Sequence, residues 1–525
     1  MKSVMQHSFS QVPRADIPRS SFNRTHGYKT CFDAGKLIPF YVDEAIPGDT
    51  FNLNATLLAR LNTPIYPIMD NMFLDTFYFA VPIRLIWDNF QKMMGEQIDP
   101  GDSTDYLVPE LESPTGGFIR EGLEDYMGIP PKAGAGVSTI SALWRRAYGL
   151  IWNEWFRDQN LQDSLTVPRD DGPDDTLGFD IMNRGKRHDY FTSALPWPQK
   201  GPGVELPLGD TAPIISNGND VEITGGGLTD VNLGYGIGAG QNVFVSGTTT
   251  SADNLMFGTE TGLLADLSGA TAATINSLRQ AFQMQKLLER DARGGTRYTE
   301  IIRSHFGTVS PDSRLQRPEY LGGGSTPVNI NQVAQTSAQG SDFYFKSSLG
   351  DLGAFGVATS YNNGFTKSFT EHCVIIGLCN VRADLTYQQG IPKMFNRRSR
   401  FDFYWPALAH LGEQAILNKE IYHDQSVADD DVFGYQERWA EMRYYPSKIT
   451  GKMRSSDPLT LDAWHLSQEF GSLPTLSDTF IQENPPIDRV VAVNTEPDFR
   501  LDCYIQAVTA RPMPTYSVPG LIDHF

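Results

Sequence analysis

The chain has 525 residues and a formal charge of −19, and its 30 Phe, 21 Tyr and 8 Trp can fill a core large enough to need no disulfide or metal staple. Its four cysteines, Cys31, Cys373, Cys379 and Cys503, form no CxxC pair, so they are expected as free thiols in a reducing compartment. The N-terminus lacks the apolar run of a signal peptide and no stretch reaches about 18 apolar residues, so a protein folded in a cytoplasm, without membrane insertion, is expected.

Charge is unevenly spread. Residues 1–36 hold Lys2, Arg14, Arg19, Arg24, Lys29 and Lys36 against Asp16 and Asp33, a net of +4, leaving −23 on the remainder. Residues 1–45, with Pro13, Pro18 and Pro39 and no periodicity, read as a basic arm on an acidic body. Such an arm suits contact with a polyanion, although charge alone does not decide it. After the turn at Pro47-Gly48-Asp49, Phe51, Leu53, Ala55, Leu57, Ala59 and Leu61 alternate with the period of a half-buried strand. Met72–Val81 is apolar on both faces and predicts a strand buried on both sides.

Beyond Pro82, Ile140, Leu143, Trp144, Ala147, Tyr148, Ile151 and Trp155 recur at three and four, a helical stripe expected to lie over the β body. Residues 201–278 contain no Lys or Arg, eight Asp or Glu and 15 Gly. This insertion is expected as a folded surface excursion with short strands near Val221–Thr224 and Asn242–Val245, a flexible linker being the plainer reading. Helices are predicted at 275–294 and Tyr298–His305, and strands at His372–Val381 and Phe499–Ala507. Strong strands near both ends predict sheet pairing between the termini and one discontinuous β domain, with 33 Pro and 48 Gly breaking the chain into short elements.

Catalytic motifs are missing. There is no P-loop, GxSxG elbow or HExxH, and Gly234-Tyr-Gly236-Ile-Gly238-Ala-Gly240 lacks the spacing of a dinucleotide fingerprint. His410-Leu-Gly-Glu413 reads as a solvated or hydrogen-bonded histidine rather than a zinc ligand, and Asp170-Asp171-Gly-Pro-Asp174-Asp175 and Asp429-Asp430-Asp431, which lack EF-hand spacing, as solvated acidic loops, with a loose divalent-cation site as the alternative. No metal ligand set and no cofactor are expected. Phe395-Asn-Arg397-Arg398-Ser-Arg400-Phe401, followed by Phe403, Tyr404 and Trp405, interleaves guanidinium groups with rings. That is the chemistry of single-strand binding, in which cations neutralise phosphates and rings stack on unpaired bases. Arginines paired with the abundant acids explain the cluster equally well. Arg14, Arg19, Arg24 and Lys29 repeat the pattern more weakly beside Phe22 and Tyr28.

Long blocks of the sequence resemble the major capsid protein of gokushoviruses, small single-stranded DNA phages of the microvirus group. They are Leu37–Thr50, Arg60–Asn71, Arg317–Gly323, Gly434–Glu441 and the tail Arg511–Phe525. The match runs nearly end to end and weakens only at about 201–274. The resemblance implies a mainly β fold, a viral jelly roll of eight antiparallel strands with long loop insertions containing several helices. Its parts would be a basic arm at 1–45, a first jelly-roll segment with a helix-containing insertion at 46–200, a protrusion at 201–274 and a second jelly-roll segment at 275–525. It further implies a T=1 icosahedral shell built through pentamers around a circular single-stranded DNA genome. Internal scaffolding, pilot and small DNA-binding proteins would be partners, and a host receptor would meet 201–274. The protein would then be a non-enzymatic virion component assembled in the bacterial cytoplasm, with Arg14, Arg19, Arg24, Lys29, Arg397, Arg398, Arg400 and Phe401 as interior DNA contacts. The competing readings are a β-rich acidic glycoside hydrolase or polysaccharide-binding protein, and a surface adhesin, which would normally carry an export signal.

Overall fold

The computed structural model describes residues 18–131, 137–176, 178–204, 275–309, 311–312, 316–336 and 349–516, together with the backbone of six short strands between 214 and 265. The chain divides into two compact units, Met1–Pro198 with Arg293–Phe525, and Gln199–Ala292.

The first unit is a mainly β jelly roll. Its principal strands are β1 (Ser20–Asn23), β2 (His26–Phe32), β3 (Ile38–Ala45), β4 (Thr50–Leu61), β5 (Met72–Pro82), β6 (Glu319–Ala334), β7 (Leu352–Ser368) and β8 (Cys373–Ala383). A short hairpin, β9 (Glu413–Leu417) and β10 (Val432–Glu437), precedes the last strand, β11 (Phe499–Arg511). One half of the curled sheet pairs β2 and β1 with β11, β11 with β4 and β4 with β7; the other pairs β6 with β5, β5 with β8 and β8 with β3. All of these pairings are antiparallel. The expected pairing of the chain ends is present, since β11 lies between β4 and the β1/β2 edge. The edge position is shared by two short strands, so nine strands fill eight places.

The β6–β7 hairpin joins the halves. Asn329–Ala334 of β6 pairs with β7, whereas Glu319–Val328 pairs with β5, and β7 continues onto β4. Where the hairpin divides, backbones run too close for side chains. A Cβ on Gly323 would meet the Thr76 carbonyl oxygen at 2.0 Å, and one on Gly364 would meet that of Leu53 at 1.9 Å.

Alternation decides what the halves bury. Phe51, Leu53, Ala55, Leu57, Ala59 and Leu61 of β4 lie beside Phe499, Leu501, Cys503, Ile505 and Ala507 of β11 on one sheet face and share one core with the odd-numbered apolar residues of β8. The other faces of β5 and β8 are buried as well: Phe79, Val81, Val374, Ile376 and Leu378 pack under helix α1 (Leu143–Ile151) through Ala147, Tyr148 and Ile151. Met72–Pro82 is thus buried on both sides, as its composition requires.

Two expectations change. From Ser20 onward the stretch read as an arm is sheet, because β11 needs an edge partner for its backbone groups; residues 1–17 lie outside the described residues. The acidic run at 170–175 is not wholly solvated. Asp174 is buried and receives two bonds from Arg146 of α1, at 2.6 and 2.7 Å, while Asp171 accepts the Trp87 indole N–H at 2.7 Å. A buried guanidinium needs that carboxylate. Asp429 of the second run is also buried and bonds His423 Nδ1 at 2.7 Å.

The second unit holds short strands in two small sheets. Glu222–Gly225 lies between Leu228–Tyr235 and Met256–Phe257, with Val243–Val245 outside Leu228–Tyr235, and Ile214–Ser216 pairs with Leu263–Ala265. Two of these match the strands expected at 221–224 and 242–245. Helix α2 (Ile275–Gly294) lies in this unit as far as Ala292, and α3 (Tyr298–Phe306) belongs to the first.

Candidate nucleic-acid interface

The interface candidate sits on the long excursion between β8 and β11. A small core of Tyr190, Phe191, Ile416, Ile421, Phe433 and Phe480 supports the β9–β10 hairpin. Two loops lie over it, 393–408 and 438–448. In the first, Asp402 Oδ2 accepts the backbone N–H groups of Ser399 (2.6 Å) and Arg398 (2.9 Å), closing a short 3₁₀ turn at Arg400–Asp402. These donors hold the Asp402 carboxyl below its ordinary pKa.

Trp439 pins the two loops together. It is buried, donates its indole N–H to the Leu408 carbonyl at 3.1 Å, and meets the Tyr404 ring edge-on at 5.5 Å between centroids. Its backbone is left-handed at φ 68°, a conformation that costs a non-glycine residue about 1–3 kcal/mol and clusters at functional sites.

The predicted residues divide in a way the sequence did not reveal. Arg397 is half-buried and tied to Glu441 at 3.2 Å, and Gln414 holds the other Glu441 oxygen at 2.6 Å. That is a structural ion pair. Arg398 and Arg400 are exposed and make no ion pair among the described residues; Arg400 lies over the Trp405 ring at 4.9 Å. Phe401 is exposed, as are Phe395, Phe403, Tyr404 and Trp405.

The N-terminal candidates are engaged elsewhere. Arg24 forms a two-pronged bond with Asp43 at 2.7 and 2.9 Å, Lys29 pairs with Asp502 at 2.6 Å, and Arg19 bonds Thr50 Oγ1 at 2.8 Å and the Gly48 carbonyl. Arg14 lies outside the described residues. No hydrogen bond, ion pair or ring contact among the described residues joins this group to the 393–408 loop.

Sequence reasoning passed over the second loop. Arg438 lies over Trp439 at 4.6 Å, and Lys448 over Tyr445 at 4.3 Å; Tyr444 and Tyr445 are exposed. The signal was the same interleaving of Arg438-Trp439 and Arg443-Tyr444-Tyr445, diluted by the acids at 437 and 441. The assembled surface offers seven exposed rings with Arg398, Arg400 and Lys448 beside them, a chemistry able to stack flat rings and neutralise anions. Among the described residues no group of three His, Cys, Asp or Glu side chains is placed to hold a metal ion. No helix there is long and apolar enough to cross a membrane.

A family model described as capsid protein (F protein) matches residues 10–521. Among curated proteins, the chain is 47% identical to capsid protein VP1 of Bdellovibrio phage phiMH2K, over 99% of the chain and 98% of that protein. It is 43% identical to capsid protein VP1 of Chlamydia phage 1, over 99% and 98%, and 38% identical to capsid protein VP1 of Spiroplasma virus 4, over 98% and 97%.

Proposed function

The chain belongs to the phage capsid protein (F protein) family, and from that premise we propose that its aromatic and basic loops at 393–408 and 438–448 contact the single-stranded genome inside the shell. It is a structural, non-enzymatic major capsid protein, a virion component that assembles into a multimeric shell around the phage genome. The glycoside hydrolase reading does not survive that assignment.

The finer assembly we infer is a T=1 icosahedral shell, closed through pentamers around a circular single-stranded DNA in the bacterial cytoplasm. Internal scaffolding, pilot and small DNA-binding proteins would assist. The observation supporting the DNA contact is that Arg398 and Arg400 stand exposed and unpaired among solvent-facing rings, although acidic side chains outnumber basic ones across the chain. Arg14, Arg19, Arg24, Lys29 and Arg397 are weaker contributors in this reading, the described ones being already bonded to the body. Packaging by an Arg398→Gln/Arg400→Gln phage tests it. Shells should form and lose DNA more readily as salt rises; normal DNA retention at every salt concentration would refute the contact.

We also propose residues 201–274 as a surface protrusion used in host attachment. Their lack of Lys and Arg, their high glycine content and the separate compact unit at Gln199–Ala292 support it. Replacing 205–266 by a short Gly-Ser link should leave shells forming while infection falls sharply, because loop-closure entropy changes little with length. A folded subunit that no longer assembles would make the insertion a structural clamp instead.

A further inference from the structure

A second surface of the first unit combines cations and rings. A cleft of about 1000 Å³ lies over the outward face of β5 and β6, floored by Phe77, Phe79, Trp155, Phe156 and Tyr320. The rings are mutually packed: Phe79 lies 5.4 Å from Trp155 and 5.5 Å from Tyr320, and Phe77 meets Phe156 edge-on at 5.2 Å. Tyr320 is the ring left open to solvent, at 41% exposure.

Arginines surround this floor. Arg184 and Arg382 share Asp75 Oδ2, at 2.5 and 3.2 Å, and Arg187 pairs with Asp384 at 3.0 Å. Arg297 bonds the carbonyls of Asn153 (3.1 Å) and Arg157 (2.8 Å) in the helical turn that follows α1, and Glu300 at 3.2 Å. Arg157 differs. It donates to the Gln162 carbonyl at 2.9 Å and makes no ion pair among the described residues. Asp158 and Glu300, the latter paired with Arg297, are the carboxylates on the cleft surface, whereas Asp75 and Asp384, which balance Arg184, Arg382 and Arg187, do not line it. Three of the cleft's arginines therefore have their counter-charge behind the surface they line. Burial and, next, the neighbouring Arg297 push the Arg157 pKa down, against the opposing pull of Glu154, Asp158 and Asp163.

We propose that this cleft binds a nucleotide unit, its phosphate on Arg157 and its base against Tyr320. The inference rests on the single-stranded genome reading above but names a different site. An aromatic floor beside a cationic donor that lacks an ion pair can recognise phosphate and base together, and every base offers a face to stack. The unit enters either as a free nucleotide or as part of a strand.

The test uses the full-length protein with two probes, a fluorescent mant-dATP and a dye-labelled dT oligomer, read by anisotropy at several salt concentrations. Tyr320→Leu should weaken binding about ten-fold or more, Tyr320→Phe should bind as wild type, and Arg157→Gln should lower the salt slope by about 0.7. If both probes respond to Tyr320→Leu, free nucleotides enter the cleft; if the oligomer alone responds, the ligand is the strand. Indifference of both probes to Tyr320→Leu and Arg157→Gln overturns the proposal. Oligomer binding lost only in the Arg398→Gln/Arg400→Gln variant would sink this cleft and leave the genome contact at 393–448 standing. Loss confined to the cleft variants would do the reverse.

Discussion

Two regions of the first unit are rich in rings and use them oppositely. Inside the jelly roll, rings meet rings: Phe51 packs edge-on against Phe369 at 5.5 Å, and Tyr78 against Phe40 at 5.7 Å, all buried. On the 393–448 surface, Phe395 is 71% exposed, Phe401 66% and Tyr445 67%, and arginine and lysine groups lie over Phe403, Trp405 and Tyr445. Each ring left outside forgoes on the order of 1.5–3 kcal/mol of burial. A surface that keeps seven of them in reach of solvent is held ready for something that will cover it.

The contrast gives the largest expected effect. Phe499, fully buried between β2 and β4 and stacked on Phe32 at 5.6 Å, should cost about 3–5 kcal/mol of stability when changed to Ala. Phe401→Ala should stay within about 0.5 kcal/mol of wild type. Urea unfolding of dissociated subunits measures both. A comparable loss for the two would mean that the exposed rings are part of the subunit's own core, and the comparison would fail.

What the sequence made legible follows the same division. Strands whose inner face is large and apolar, such as β4 and β11, announced themselves by alternation, and the pairing of the chain ends followed from their positions. Strands β6 and β7 went unread. Their inward positions include Gly356, Ala358 and Ser360, and Gly322-Gly323-Gly324 and Pro327 resemble loop composition. Those glycines answer to a neighbouring backbone, which no local pattern reveals. At the candidate site, the residue types at 397–401 were legible, but their division into bonded Arg397 and free Arg398 and Arg400 was not. It depends on Glu441, 44 residues away in sequence from Arg397.

Two aspartates sharpen the comparison through pH. Burial, with Asp33 and Asp488 nearby, raises the Asp498 pKa from 3.8 to about 6, while the Ala34 N–H donates to it at 2.9 Å. The folded protein therefore binds more protons than the unfolded chain between those values. The stability that protonated Asp498 provides is complete below about pH 4 and falls, by up to about 3 kcal/mol, as pH rises to 6. Asp402 on the surface loop is shifted the other way, so its loss of stabilisation lies below that window. Unfolding measured from pH 4 to 6 should slope downward with rising pH in wild type and flatten in Asp498→Asn. An unchanged slope would move the titration to another group.

A smaller effect separates the surface arginines from one another. Arg398→Gln/Arg400→Gln should leave the urea midpoint unchanged and reduce the salt slope of dT-oligomer binding by about 1.4, two lost phosphate contacts. Arg397→Gln should instead lower stability, because Glu441 loses its partly buried partner. If Arg397→Gln affects only binding, its pairing with Glu441 is incidental and all three arginines belong to the interface.

The smallest expected effect is none at all, and it probes the closed side of the comparison. Cys373, Cys379 and Cys503 are free thiols inside the jelly-roll core, and Cys31 is partly exposed. Burial pushes Cys373 and Cys503 up to about 12 and Cys379 well above its ordinary value, so at neutral pH none presents the reactive thiolate. Cys31 is raised too, first by burial and then by Glu121, but solvent reaches it. Cys373 and Cys379 lie six residues apart on one strand, about 20 Å along it, too far for a bridge. A thiol reagent should therefore modify one cysteine slowly in the folded subunit and all four in denaturant, and dithiothreitol should leave shells intact. Rapid labelling of two or more thiols under native conditions would show that the jelly roll opens, and that its buried rings are not sealed as the comparison requires.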